Sequence, residues 1–198
     1  MIKRTTNLAD LAQILRQDGV IAVPTDTVYG LCARINSEVA HRRLISVKKR
    51  LSSKPFPIMC SDEVQIARIA ELDQRTKRLV RRFMPGPITL VLPARPDLPS
   101  YVNNGKTSVA VRLASSPEIA ELIRQTGSPL FMTSANQGGE PTCKSLDEVE
   151  KACPLIDGIL EGKPTFGMSS TIIDCTTEEL KVLRLGPISL EQVLEVAQ

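Results

Sequence analysis

Val20-Ile21-Ala22-Val23 runs straight into Pro24-Thr25-Asp26-Thr27-Val28-Tyr29-Gly30-Leu31. An unbroken apolar run of that length reads as a buried strand, and the proline closes it. Hydroxyls, a carboxylate, a phenol and a glycine then follow in close order. Polar groups set so densely at the end of a core strand are costly to bury unless they bind something. The carboxyl end of a strand is also where an α/β sheet places its ligands. The same residue types build ordinary turns, so on types alone a site and a turn stand at even weight.

The chain around this stretch alternates helix and strand signals. Asn7 can cap a helix whose apolar residues, Leu8, Leu11, Ala12 and Leu15, share one face. Ser37 opens a second helix with Ala40, Leu44, Val47 and Leu51 on one stripe, and Phe56 to Cys60 reads as a strand. Helices are expected over 62–71 and 74–83, the latter ending before Pro85-Gly86-Pro87. Strands are expected at 88–92, 108–113, 130–132, 158–160, 170–174 and 181–185. Ser116-Pro117 starts a helix, Ser145 and Glu148 form a capping box, and Ser189 caps the last helix. The one long irregular stretch, 93–107, reads as a surface loop or a lid. Interspersed helices with several adjacent strands give an α/β fold. We expect a single domain over 1–198 with a twisted mixed β-sheet and helices packed on it.

Composition removes several chemistries. The chain has 198 residues, 42% hydrophobic and 24% charged, which are globular values. No apolar run approaches the roughly 20 residues of a bilayer span, and the N-terminus is not a signal-peptide core. A soluble, cytoplasmic protein without a membrane partner is expected. Five scattered cysteines without CxxC spacing argue against a disulfide framework and a zinc site. The only histidine, His41, sits beside Arg42 and Arg43, a position expected on a helix surface. A Ser-His-Asp hydrolase or a multi-histidine metal centre is thereby set aside. No Walker A loop and no GxGxxG is present. The remaining tools are cations, hydroxyls and backbone groups.

These tools cluster at the ends of elements. Lys48, Arg50 and Lys54 place three cations in one turn and its exit, which suits a triphosphate and equally a helix C-terminus. Thr133-Ser134-Ala135-Asn136 follows a strand, and Ser169-Ser170-Thr171 precedes Arg184-Leu185-Gly186. Arg112 lies inside the apolar strand Val109-Ala110-Val111-Arg112-Leu113, where a cation needs an anionic partner or a ligand. Two basic runs, within 42–54 and 75–82, offer a solvated helix face or a phosphate or RNA surface.

In this order, these segments resemble the YrdC-like family, the single-domain threonylcarbamoyl-AMP synthases. The resemblance covers about residues 8 to 190 and includes Pro24 to Leu31, Lys48-x-Arg50 with Lys54-Pro55, Pro85-Gly86-Pro87-x-Thr89 and Val109-Ala110-Val111-Arg112. It continues through Thr133-Ser134-Ala135-Asn136, Ser170-Thr171-Ile172-Ile173-Asp174 and Arg184-x-Gly186. The resemblance implies a YrdC/RibB-like fold and a nucleotidyltransferase. Such an enzyme joins L-threonine, bicarbonate and ATP into threonylcarbamoyl-AMP and pyrophosphate, for t6A modification of tRNA by a downstream transferase. It further implies that Thr27, Tyr29, Arg112, Thr133 and Ser170 hold L-threonine. Lys48, Arg50, Lys54, Ser108, Ser134, Asn136 and Arg184 would hold ATP, with Lys48 and Arg50 catalytic. Mg²⁺ would arrive with ATP, without a dedicated protein metal site. Two positions depart from the family pattern: Leu51 stands where Pro is usual, and Gly138 where Ser is usual. The runner-up reading is an RNA-binding protein of this fold, meeting tRNA or structured RNA through the basic runs without synthetase activity. A third is a domain that transfers carbamoyl groups to another acceptor.

Overall fold

Alternating side chains divide the molecule into two cores. In chain order the first elements are β1 (Lys3–Thr5), α1 (Leu8–Arg16), β2 (Ile21–Pro24), β3 (Tyr29–Arg34), α2 (Glu38–Lys48) and β4 (Ile58–Cys60). Next come α3 (Glu63–Ile69), α4 (Gln74–Phe83), β5 (Ile88–Pro93), α5 (Ser100–Asn103), β6 (Ser108–Leu113) and α6 (Pro117–Thr126). The last are β7 (Leu130–Ser134), α7 (Leu146–Ala152), β8 (Gly158–Leu160), β9 (Thr171–Asp174), β10 (Lys181–Arg184) and α8 (Leu190–Ala197). The structure, a computed structural model, describes residues 2–49, 54–165 and 168–198. All ten strands join one mixed sheet in the order β1-β8-β2-β3-β7-β4-β6-β5-β9-β10. The sheet combines parallel pairs such as β4 with β6 and antiparallel pairs such as β3 with β7.

Ile21 and Val23 of β2 face one side of this sheet and Ala22 the other, as the period of two requires. On the first side Leu11, Ala12 and Leu15 of α1 pack with Ile119, Leu122 and Ile123 of α6 over Cys32, Leu130 and Met132. On the second, α2, α3 and α4 bury Leu44, Ile66 and Leu79 against Leu31, Phe131, Val111 and Leu90. The caps follow the sequence. Side-chain oxygens of Asn7, Ser37, Asp62, Asp73, Ser116, Ser145 and Ser189 accept first-turn amides of the helices they precede. Among the described residues no helix is long and apolar enough to cross a membrane.

Five local expectations need correction. Tyr29 to Arg34 is a strand: the polar stretch narrows to a tight turn in which the Thr25 amide donates to the Val28 carbonyl at 3.1 Å. Lys3 to Thr5 adds an edge strand parallel to β8. Only half of the expected box at Ser145 forms, because the Glu148 carboxylate accepts from the Lys144 amide at 2.7 Å. The 93–107 stretch is neither a plain loop nor a lid over the site. It contains α5, buries Val102 and is tied down where the Arg95 amide donates to the Ile69 carbonyl and the Tyr101 hydroxyl to the Ile35 carbonyl.

His41 is the fifth. It is buried, with ring centroids 5.0 Å from Phe131, 5.8 Å from Phe56 and 5.9 Å from Tyr101. Arg42 and Arg43, its sequence neighbours, point elsewhere and pair with Glu38 and Asp157. Burial, opposed by Glu38 and aided by Arg42, holds the imidazole pKa below its ordinary 6.5. The unfolded chain therefore binds this proton more readily, so stability is full above about pH 6.5 and declines as pH falls below it. Urea midpoints taken between about pH 8 and about pH 5 are expected to fall less steeply in His41→Phe than in the parent. Equal slopes would show that His41 binds its proton equally well in the folded and unfolded states.

Candidate functional site

The face packed by α1 and α6 is covered only over part of its width. Beyond them, Arg112 of β6, Thr89 of β5 and Ile172 of β9 project from that same face, since Val111, Leu90 and Ile173 point into the opposite core. These side chains line a cleft of about 210 Å³, the size of a small metabolite site rather than a drug-sized one. Met59 and Met132 give it an apolar wall, and Thr25, Thr27, Thr133, Ser134, Ser169 and Ser170 supply hydroxyls.

Each wall is fixed by its own bonds. The Thr25 hydroxyl donates to the Val28 carbonyl at 2.6 Å and accepts the Thr27 and Val28 amides, both at 3.1 Å. That turn carries Asp26 to Arg112, where the two form an ion pair, Arg112 buried and Asp26 partly so. Arg112 Nε donates to the Gly86 carbonyl at 2.9 Å. Opposite, Arg184 Nε donates to the Ser170 carbonyl at 2.9 Å and Nη2 to its hydroxyl at 3.1 Å. The Ser170 hydroxyl also lies 2.9 Å from that of Thr89. Burial pushes both guanidinium pKa values down; Asp26 counters this at Arg112, whereas the charge of Arg112 adds to it at Arg184. Arg112 and Arg184 bring two guanidinium groups to a hydroxyl-rich lining, a set suited to an anionic ligand group.

A second constellation adjoins at Ser134. Lys48, the last residue of α2, is 3% exposed. Its Nζ donates to the Ser134 carbonyl at 2.7 Å, the Ser134 hydroxyl at 3.2 Å and Asn136 Oδ1. The Gly138 amide donates to the Lys48 carbonyl at 3.1 Å, which clamps the loop after β7 to the end of α2. A Cβ on Gly138 would lie 3.4 Å from the Lys49 carbonyl oxygen, an ordinary contact, so the glycine is not demanded by space.

Residues 13–186 match the model of the Sua5/YciO/YrdC family, described as telomere recombination. The chain belongs to the Sua5/YciO/YrdC family. A threonylcarbamoyl-AMP synthase of Bacillus subtilis is 35% identical over 190 residues, 94% of this chain and 55% of its own. The Vibrio vulnificus protein of that name is 33% identical over 186 residues, 91% of this chain and 99% of its own. The crystal structure of Pyrococcus abyssi Sua5 complexed with L-threonine aligns with a TM-score of 0.92 at 32% identity, over 99% of this chain and 60% of that one. The chain thus spans little more than half the length of the Bacillus and Pyrococcus relatives.

On this Sua5/YciO/YrdC chain, the structure brings Thr27, Arg112, Thr133, Ser134, Ser170 and Arg184 together around one cleft. Lys48 and Asn136 stand directly behind Ser134. Tyr29 lies outside the cleft lining: its ring joins the opposite core and its hydroxyl donates to the Gly162 carbonyl at 2.9 Å. Ser108 shares a strand with Arg112 but sits four residues away, about 13 Å along it, and does not line the cleft. Lys54 is exposed and outside the lining, and Arg50 and Leu51 fall outside the described residues. Asp26 and Thr89 lie within the motifs, but nothing in the sequence assigns them a role, and Met59 and Met132 carry no polar signal. The basic runs are partly spent on the protein itself, while Arg81 and Arg82 stay exposed. Arg75 donates to the Cys175, Thr177 and Glu178 carbonyls, and Arg78 holds the last carbonyls of α8.

Gly186 lets β10 approach this wall. A Cβ there would lie 2.4 Å from both the Ser169 carbonyl oxygen and the Thr171 nitrogen. The Thr171 hydroxyl accepts the Gly186 and Ile188 amides at 3.0 and 3.1 Å, holding the two strands in that register. Gly186→Ala must therefore move backbone, at a cost of about 1–3 kcal/mol, and withdraw Arg184 from Ser170. Thermal melting is expected to show the loss; an unchanged melting temperature would mean that the two strands adjust here without cost.

Proposed function

We propose that this chain is an L-threonylcarbamoyladenylate synthase, a nucleotidyltransferase that condenses L-threonine, bicarbonate and ATP and releases pyrophosphate. The observation that carries the reading is the junction of two anion sites: the hydroxyl-rich cleft with Arg112 and Arg184, and the Lys48-Ser134-Asn136 cluster at its edge. The family membership and the L-threonine in the Pyrococcus abyssi Sua5 structure support the same assignment.

In this reading Arg112 meets the carboxylate of threonine, with Thr27, Thr133 and Ser170 around the rest of the molecule. The amine of threonine captures carbon dioxide, derived from bicarbonate, as a carbamate. A carbamate oxygen then attacks the α-phosphorus of ATP and pyrophosphate departs. Neither a covalent nucleophile nor a histidine base is required; the protein orients two anions and offsets charge developing on the phosphate. Lys48, presented by Ser134 and Asn136, is the cation placed to do this, and Arg184 stands where cleft and nucleotide would meet. Mg²⁺ belongs to the ATP substrate in this scheme. The donor set fits that division, since no three His, Cys, Asp or Glu side chains cluster among the described residues. The product would serve t6A formation on tRNA through a separate transferase.

The test is pyrophosphate release from ATP, Mg²⁺ and bicarbonate with and without L-threonine. Threonine-dependent release is expected. Release that ignores threonine, or none from a folded protein, would overturn the proposal.

A further inference from the structure

The ion pair between Asp26 and Arg112 is more than a way to bury a cation. Its side chains are 12% and 7% exposed, and buried pairs add little stability over apolar packing of the same volume. Its position is what needs a chemical reason. Arg112 spends Nε on the Gly86 carbonyl and Nη2 on Asp26 Oδ2. Arg112 Nη1 and Asp26 Oδ1 have no hydrogen-bond partner among the described residues, yet neither is a buried unpartnered atom, so both are open to a ligand. Arg112 lines the threonine-sized cleft, and Asp26 borders a neighbouring cavity of about 400 Å³. Thr25 lines both, which places the pair at their junction.

One free donor on a cation beside one free acceptor on an anion is the complement of an amino-acid zwitterion. A carboxylate can bond the guanidinium through Nη1 while the adjacent ammonium donates to Oδ1, each by a charge-assisted bond. Among the described residues no carboxylate lines the cleft itself, and Asp26, held to Arg112, is the carboxylate at its edge. We propose that Asp26 is the residue that reads the α-ammonium group, so that the site selects an amino acid over the hydroxy acid of the same shape. This rests on the proposed threonine chemistry and names the residue that enforces it.

Calorimetric titration with L-threonine and with β-hydroxybutyrate, which keeps the carboxylate and the hydroxyl but lacks the amine, tests the assignment. In the parent protein threonine is expected to bind at least about tenfold more tightly, the worth of one charge-assisted bond. Asp26→Asn retains the shape and an acceptor for Arg112. It is expected to weaken threonine about tenfold or more while changing β-hydroxybutyrate by less than about threefold. Equal weakening of both ligands would mean that the pair only supports the fold, and would overturn the proposal. So would a parent protein that binds both ligands equally, a result that does not depend on how the variant folds. A parent protein that binds neither ligand would instead strike at the threonine reading itself.

Discussion

Lys48→Ala is expected to lower threonylcarbamoyl-adenylate formation at least about 100-fold, the loss typical of removing one preorganised charge from a developing oxyanion. The magnitude follows from how Lys48 is held. It is buried, and its Nζ donates to the Ser134 carbonyl, the Ser134 hydroxyl and Asn136 Oδ1. A side chain so constrained pays little reorganisation when a phosphate oxygen takes one of those places. Threonine affinity should stay within about threefold, since Arg112 and Ser170 lie outside this cluster. Calorimetry with threonine and pyrophosphate release with ATP separate the two effects. If turnover survives, the phosphate is held elsewhere; if threonine binding falls in step with turnover, the variant has lost its fold at β7.

Arg112→Ala is expected to raise the threonine requirement about 100-fold and to destabilise the protein by about 3–5 kcal/mol. Two costs combine: the substrate carboxylate loses its cation, and Asp26 is left as an uncompensated buried charge. Arg112→Lys keeps the charge but cannot reach Gly86, Asp26 and a carboxylate in one planar fork. It should restore most of the stability while recovering little of the threonine affinity. The readouts are the denaturation midpoint and the threonine concentration at half-maximal rate. A lysine variant with normal affinity would show that Arg112 is only a counter-ion for Asp26.

Much of this site was legible in the chain because its parts are local. A cation in an apolar strand marked Arg112, and hydroxyls at a strand exit marked Thr133, Ser134 and Asn136. What was not legible is which partners long-range pairing would supply. Asp26 and Arg112 lie 86 residues apart and meet across the sheet path β2-β3-β7-β4-β6, in which only β2 and β3 are consecutive in sequence. Thr89 and Ile172 become cleft residues because α1 and α6 stop short of their part of the sheet, a fact of helix placement rather than local pattern. Strand β3 is hard to read because Gly30, which packs against Met132 Sδ, breaks the apolar alternation. His41 was misplaced because its flanking arginines suggested solvent, although residues adjacent in sequence point about 100° apart on a helix.

In the proposed reaction, carbon from bicarbonate, nitrogen from threonine and the α-phosphate of ATP end in one molecule. Incubating the protein with isotopically labelled bicarbonate, L-threonine, ATP and Mg²⁺, followed at once by mass spectrometry, tests this directly. Threonylcarbamoyl-AMP carrying one labelled carbon is expected, formed only when threonine is present and nearly absent with Lys48→Ala. AMP or ADP without a labelled adduct, from protein that binds both threonine and ATP, would contradict it.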